Sequence, residues 1–308
     1  MQVLLIVNPT ASSVTARTRV VIQKALSADH DLTVAETSRR GHAARLAQGA
    51  ANAGANVVVV LGGDGTLNEA ANGLVGTDTA LAPLPGGSTN VFARTLGLPD
   101  EPTEATGALL NSLDERAITS VGLGSVNGRY FLFHCGVGFD AAVVEQVEKR
   151  GGLKRYAGHP LFIYSAFDTW LRQFDHKNPL FAVHHSDGSV VNDGFFTLCM
   201  NTNPYTYLGN TPLDVAPDAS LDRPLVVLTI RKLSAAALSS LAVAALRRGN
   251  GLASHRRVDY RTDVESAVLK GFRPMPYQVD GDFLGAVDEL RFTWRRDALR
   301  LVVPLDGI

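Results

Sequence analysis

The chain has 308 residues, with 29 basic and 30 acidic side chains and a formal net charge of -1. At roughly 150 residues per domain, this length predicts two domains. The hydrophobic share of 45% excludes general disorder, and the charge balance argues against a dedicated nucleic-acid-binding protein. The apolar run Val3–Val7 is too short for a signal peptide, and Ala235–Leu246 is too short to cross a bilayer. We therefore expect a cytoplasmic protein.

The first third of the sequence alternates between strand and helix patterns. Strands are predicted at 2–7, 32–35, 57–61 and 80–84, and helices at 16–26, 43–53, 66–74 and 89–96. The continuous apolar run at 57–61 is typical of a strand that is buried on both faces of a parallel sheet. We therefore predict an α/β domain over residues 1–123, with an open parallel sheet and flanking helices.

The pattern changes after Leu123. Residues 125–137 predict a hairpin that turns at Asn127-Gly128. Further short strands are predicted at 180–185, 189–191, 195–201, 225–231, 256–261, 266–269, 276–279, 291–294 and 299–303. Helices are predicted at 141–148 continuing to 157–174, and at 234–246. Short strands separated by turns favour an all-β domain, an antiparallel β-sandwich, over residues 124–296.

The strongest chemical feature follows the strand at 57–61. The strand ends in Gly62-Gly63-Asp64-Gly65-Thr66, and a helix begins at once. Glycines let a ligand approach the backbone closely, and the free N–H groups of a helix N-terminus favour phosphate. Asp64 can hold Mg2+ against phosphate oxygens, or it can be the cap of an ordinary turn.

A second glycine turn, Gly86-Gly87-Ser88-Thr89-Asn90, follows the next strand. Taken alone it favours a simple capped turn, but two such turns one strand apart place two helix N-termini at one sheet edge. Asn8-Pro9 and Thr37 follow the first two strands at this same edge. The sequence contains no P-loop, no dinucleotide-binding glycine motif after the first strand and no protein-kinase signature. P-loop proteins, dinucleotide-dependent hydride enzymes and protein kinases are therefore disfavoured.

Together, GGDGTLNE (62–69) and LPGGSTNVFAR (84–94) resemble the diacylglycerol kinase catalytic family, which also contains sphingosine, ceramide and bacterial lipid kinases. The resemblance continues through NGRYF (127–131), GVGFD (136–140), APDASLD (216–222) and VDGD (279–282). GGDGT alone is shared with NAD kinases and, more loosely, with phosphofructokinases. Its pairing with the Ser-Thr-Asn turn and the late acidic motif is more specific.

The resemblance implies a phosphofructokinase- or NAD-kinase-like nucleotide domain at 1–123, to which residues 297–308 return. It also implies a β-sandwich at 124–296 that takes the lipid substrate, with ATP between the two domains and Mg2+ near Asp64. By match of motif, the residues implied to surround ATP are Asn8, Pro9, Thr37, Gly62, Gly63, Asp64, Gly65, Thr66, Asn68, Glu69, Gly87, Ser88, Thr89 and Asn90.

Two acids are implied to serve the lipid. The late family motif D-G-E reads Asp280-Gly281-Asp282 here, so Asp282 stands where the implied base is usually Glu; a plain turn residue is the alternative. Asp140 resembles the family acid near the lipid headgroup, with a helix N-cap as the alternative. Gly122 and Asp222-Arg223-Pro224 replace acids of a structural Mg2+ network in bacterial relatives, which implies that this network is missing.

We therefore expect an ATP-dependent lipid kinase, with diacylglycerol as its substrate and phosphatidic acid as its product. The alternatives are a kinase for another lipid hydroxyl such as a sphingoid base, an NAD kinase, and a nucleotide-binding regulator with impaired catalysis. The basic and aromatic residues at 149–174 suit peripheral contact with an anionic membrane, although a core helix explains them as well. No nucleic-acid partner is expected, and a homodimer is one possible oligomeric state.

Overall fold

The structure is a computed structural model. It describes residues 1–149, 175, 177–234, 237, 240–241 and 251–305. The chain divides into two compact units, Met1–Gly122 with Arg296–Ile308, and Leu123–Arg295. The predicted helix 157–174 and most of the predicted helix 234–246 lie outside the described residues. None of the described helices is both long enough and apolar enough to span a bilayer.

The first unit is an α/β unit in which strands and helices alternate. Its strands are β1 (Gln2–Val7), β2 (Asp31–Glu36), β3 (Val57–Gly62) and β4 (Ala80–Pro85). Its helices are α1 (Ala16–Asp29), α2 (His42–Asn52), α3 (Asp64–Leu74), α4 (Val91–Thr95) and α5 (Pro102–Asp114). The predicted strands and helices of this region are confirmed. Helix α5 was not predicted, although Glu101 caps its N-terminus and Pro102 stands at its start, a recognisable helix signal.

The sheet of the first unit is parallel, in the order β2-β1-β3-β4. Every residue of β3 and β4 is buried, as the apolar runs predict for strands covered on both faces. Val7 stands opposite Glu36 and Leu61, and Gly62 stands opposite Pro85. The four strands therefore end at the same level, and the loops that follow them begin at one edge of the sheet.

The second unit is built mainly from antiparallel strands, as predicted. They are β6 (Arg129–Phe131), β7 (His134–Gly138), β8 (Phe181–His185), β9 (Val190–Gly194), β10 (Phe196–Met200), β11 (Thr206–Leu208), β12 (Thr211–Leu213), β13 (Leu225–Ile230), β14 (Val258–Val264) and β15 (Ser266–Val279), with helix α6 (Phe139–Lys149) after β7. Two further strands, β5 (Ile118–Val126) and β16 (Asp282–Val302), each have one end in this unit and the other end in the first.

In the second unit the strand order is β14-β13-β10-β7-β15, and β15 also pairs with β8 and β16. The predicted hairpin turn at Asn127-Gly128 is confirmed, with φ of +48° and +86°. Strands β15 and β16 are continuous where four short strands were predicted. The pairing of β15 with β16 shifts register between Lys270 and Met275, and such a bulge interrupts the alternation that marks a strand in sequence.

Candidate active site

The two glycine turns of the first unit pack directly against each other. The backbone N–H of Gly86 donates to the carbonyl oxygen of Gly62 over 2.9 Å. A Cβ atom at Gly86 would lie 2.8 Å from the nitrogen of Gly62, and one at Gly87 would lie 2.8 Å from the Cα of Gly63. Real side chains do not come so close to a backbone. Glycine is therefore required at 86 and 87 for the two turns to touch, and this reason holds whether or not a ligand binds there.

Asp64 joins the two turns through its carboxylate. Oδ2 accepts the backbone N–H of Val91 over 3.0 Å, and Oδ1 accepts that of Phe92 over 3.1 Å. Asp64 is the first residue of α3, and the N–H groups that donate to it lie at the start of α4, where a helix leaves them without intrahelical partners. Burial raises the pKa of the Asp64 carboxyl above its ordinary value, and the two backbone bonds oppose that rise. The side chain is therefore a clamp between two helix N-termini.

The end of β1 is tied to the first glycine turn by Asn8. Its backbone N–H donates to the carbonyl of Leu61, and its Nδ2 donates to Oγ1 of Thr66 over 2.9 Å. Pro9 follows at the exposed surface. Thr37 donates its N–H to the carbonyl of Val7 at the same sheet edge. The structure thus brings together the predicted residues from all four strand ends.

The remaining predicted residues of this unit divide into inward-facing and outward-facing groups. Glu69 accepts the N–H groups of Gly41 and Ala43 over 2.7 and 3.2 Å, so both of its oxygens contact the start of α2. Asn68 and Asn90 are buried, and Asn90 Oδ1 accepts the Gly87 N–H over 2.7 Å. Ser88 is exposed and Thr89 is half-buried, so neither side chain is fully enclosed by the protein.

The donor set around Asp64 does not fit a resident metal ion. Mg2+ in proteins is held by oxygen ligands and keeps several waters, whereas here both carboxylate oxygens of Asp64 face backbone N–H groups. Across the described parts of the chain, no group of three or more His, Cys, Asp or Glu residues is arranged to hold a metal. The assignment of Mg2+ to Asp64 stays a prediction.

In the second unit, Asp282 and Asp280 have different surroundings although they flank one glycine. The carboxylate of Asp280 accepts three backbone N–H groups, from Leu132, Phe133 and His134, at 2.7 to 3.0 Å. Asp282 is partly exposed, and its Oδ2 lies 3.7 Å from Nη2 of Arg129. Asp280 is therefore committed to the backbone, and Asp282 presents a carboxylate beside a guanidinium group.

Asp140 is buried at the start of α6. Its Oδ1 accepts the hydroxyl of Tyr205 over 2.5 Å, and its Oδ2 accepts Nε2 of Gln278 over 2.8 Å. Burial raises the pKa of the Asp140 carboxyl, and these two hydrogen bonds oppose the rise. The predicted headgroup acid thus contacts two side chains of its own unit.

Three residues of the candidate site were not predicted, namely Arg129, Tyr205 and Gln278. Arg129 lies in the NGRYF motif, so the resemblance gave a signal at its position. Tyr205 and Gln278 are 65 and 138 residues from their partner Asp140. Contacts at such separations leave no mark in the local sequence pattern.

An open parallel sheet with two glycine turns at its carboxyl edge is an arrangement typical of α/β proteins that bind phosphate. Residues 2–145 match the diacylglycerol kinase catalytic domain. A protein of Pseudomonas fluorescens named "Probable lipid kinase YegS-like" is 29% identical over 294 residues, which is 94% of this chain and 91% of the relative. Residues 2–145 are therefore similar to the diacylglycerol kinase catalytic domain, and this similarity indicates a kinase.

Solved structures share the fold. A diacylglycerol kinase from Bacillus anthracis matches with a TM-score of 0.72 and 21% identity, covering 100% of this chain and 98% of that one. An NAD kinase from Archaeoglobus fulgidus in complex with ATP matches with a TM-score of 0.55 and 11% identity, covering 99% and 94%. At these identities the likeness concerns the fold alone, and it confirms the predicted NAD-kinase-like fold class.

Proposed function

We propose that the protein is an ATP-dependent lipid kinase that phosphorylates the hydroxyl of diacylglycerol and releases phosphatidic acid. The observation that carries this proposal is the N-terminus of α3 at the first glycine turn, within a region that matches the diacylglycerol kinase catalytic domain. The protein would act as a peripheral enzyme of phospholipid synthesis that meets its substrate at the membrane surface from the cytoplasm.

The phosphates of ATP are proposed to bind where the first turn of α3 leaves N–H groups without intrahelical partners. Gly63, Gly65 and Thr66 supply this part of the site, and the hydroxyls of Ser88 and Thr89 supply the other side. Mg2+ is proposed to enter with ATP as part of the substrate, because Mg2+ commonly binds through substrate phosphates and water. Asp64 shapes this site by holding α3 and α4 together.

In the proposed reaction, the lipid hydroxyl oxygen attacks the γ-phosphorus of ATP in line. The bond from that phosphorus to the β,γ-bridging oxygen breaks, and ADP leaves. Asp282 accepts the proton of the hydroxyl. Asp280 is excluded from this role because its carboxylate already accepts three backbone N–H groups. The choice of Asp282 is supported by its partial exposure and by the family motif.

The test is transfer of labelled phosphate from ATP to diacylglycerol, ceramide, sphingosine and NAD+, with the lipids in mixed micelles. We expect transfer to diacylglycerol. Transfer to sphingosine or NAD+ alone would replace the proposed substrate, and ATP binding without transfer to any acceptor would leave a nucleotide-binding regulator.

The role of Asp282 is tested with Asp282→Asn, which removes the base but keeps the shape. A positioned base contributes about 10²–10⁴-fold, so kcat is expected to fall within that range. Asp288→Asn is the matched control, because Asp288 is exposed on the same strand and should leave kcat within about twofold of the parent. Full activity in Asp282→Asn would remove Asp282 as the base.

A further inference from the structure

The turn that carries Asp282 is a two-residue hairpin loop. Val279 pairs with Asp282, and the intervening residues Asp280 and Gly281 have φ of +47° and +82°. Positive φ at both positions is the geometry of a type I′ turn, in which Asp-Gly is a favoured pair. Asp282 is the first residue of β16 after this turn, so the position of its backbone depends on how firmly the turn is held.

The first residue of the turn is anchored by the backbone between β6 and β7. Besides the three N–H groups that its carboxylate accepts, Asp280 donates its own N–H to the carbonyl of His134 over 3.0 Å. Asp280 is only 4% exposed. The same segment continues from the strand that carries Arg129, so this anchor holds Arg129 and Asp282 on connected backbone.

The second residue of the turn is anchored by a side chain. The N–H of Gly281 donates to Oε1 of Gln278 over 2.8 Å, and Nε2 of Gln278 donates to Asp140 over 2.8 Å. Gln278 is completely buried. A carboxylate can only accept a hydrogen bond and a backbone N–H can only donate one. The side-chain amide of Gln278 therefore has one allowed orientation, with Nε2 toward Asp140 and Oε1 toward Gly281.

The chain reserves space for this side-chain network. A Cβ atom at Gly136 would lie 1.7 Å from Oδ2 of Asp140 and 2.6 Å from Nε2 of Gln278. Glycine at 136 is therefore required for Asp140 and Gln278 to meet. On the other side of Asp140, the Tyr205 hydroxyl holds the second carboxylate oxygen. The network is thus continuous from Tyr205 to the N–H of Gly281.

We propose that Gln278 is a positioning residue that links the buried Asp140–Tyr205 pair to the turn and so fixes the carboxylate of Asp282. The proposal rests on the proposed function, in which Asp282 accepts the proton of the lipid hydroxyl. It gives Asp140 a role inside the protein, as the fixed end of the network. A displacement of about 1 Å at a reacting group can cost about 10²-fold in rate, so the anchor matters for kcat.

The test is Gln278→Met, which has a similar length but can neither accept the Gly281 N–H nor donate to Asp140. The matched control is Thr197→Val. Thr197 is also fully buried in this unit, and its hydroxyl bonds that of Thr229 over 2.9 Å, but it has no hydrogen bond to the turn. We expect kcat to fall about 10–100-fold in Gln278→Met, with the KM for ATP within twofold of the parent. Thr197→Val should lose comparable thermal stability but keep its kcat.

A second measurement, hydrogen exchange at the Gly281 amide, does not depend on activity. We expect faster exchange in Gln278→Met than in the parent and in Thr197→Val. A kcat within twofold of the parent, or unchanged Gly281 exchange, would overturn the proposal. If the parent protein transfers no phosphate to any acceptor, the proposed function fails. The link between Gln278 and the turn is then still decided by the exchange at Gly281.

Discussion

The clamp formed by Asp64 predicts a loss of stability that is independent of any ligand. Asp64→Ala would leave the N–H groups of Val91 and Phe92 without their acceptors, and both of these residues are buried. An unmade hydrogen bond at a buried donor costs about 1–3 kcal/mol. Because burial already opposes the charged form of Asp64, part of that loss is offset, and we expect about 2–4 kcal/mol in total.

The assay is calorimetric unfolding without nucleotide and with a chelator present. A loss of this size lowers the Tm by roughly 5–15 °C for a unit of this length. Hydrogen exchange of the amides in α4 locates the change. Tryptophan fluorescence is unsuitable, since the sequence has no tryptophan among residues 1–122.

Glu101→Ala is the matched control for the Asp64 clamp. Glu101 also accepts a backbone N–H at a helix start, from Glu104 over 2.8 Å, but it is exposed. We expect this control to lose about 1 kcal/mol or less. An unchanged Tm in Asp64→Ala would refute the clamp. A difference that occurs only with Mg2+ present would instead identify Asp64 as a metal ligand.

Three further predictions test other parts of the structure. Gly86→Ala should destabilise the protein by about 1–3 kcal/mol in urea unfolding, because the new methyl group would meet the backbone nitrogen of Gly62; Gly107→Ala, which meets no atom within 4 Å, should not destabilise it. Glu69→Gln removes a charge from the start of α2 and should cost about 0.5–1 kcal/mol; equal urea midpoints for this variant and the parent would contradict that role. Burial lowers the pKa of His134 from 6.5 to about 3, so the unfolded chain takes up the proton first and stability is lost as the pH falls through this window. At pH 4 the loss is about 3 kcal/mol, and His134→Leu should show a correspondingly shallower fall in unfolding free energy between pH 7 and pH 4.

The sequence predicted the parts of the first unit that depend on local patterns. Strand β3 was predicted correctly because a short, continuous apolar run is typical of a strand buried on both faces. The glycines directly after it marked the turn. The sequence explained the glycines at 86 and 87 only by the approach of a ligand. The contact between the two turns depends on packing across the sheet edge, which the sequence does not show. Helix α5 was missed although Glu101 and Pro102 marked its start.

The second unit was harder to predict because its contacts join distant parts of the chain. The motif at 279–282 indicated a turn, and the resemblance selected Asp282 within it. Nothing local separates Asp280 from Asp282, and only the fold shows that the carboxylate of Asp280 is held by Leu132, Phe133 and His134. The pairing of Asp140 with Gln278 likewise depends on register between β7 and β15.

The last strand of the first unit comes from the far end of the chain. Leu301 of β16 pairs with Leu81 of β4, and the backbone N–H of Gly76 donates to the carbonyl of Ala298. During synthesis, the first 122 residues leave the ribosome long before these partners exist. The sheet of the first unit can therefore be completed only after the whole second unit has been made. A chain released early would leave the edge of β4 exposed. The first unit is therefore complete only in chains whose translation has continued through the second unit.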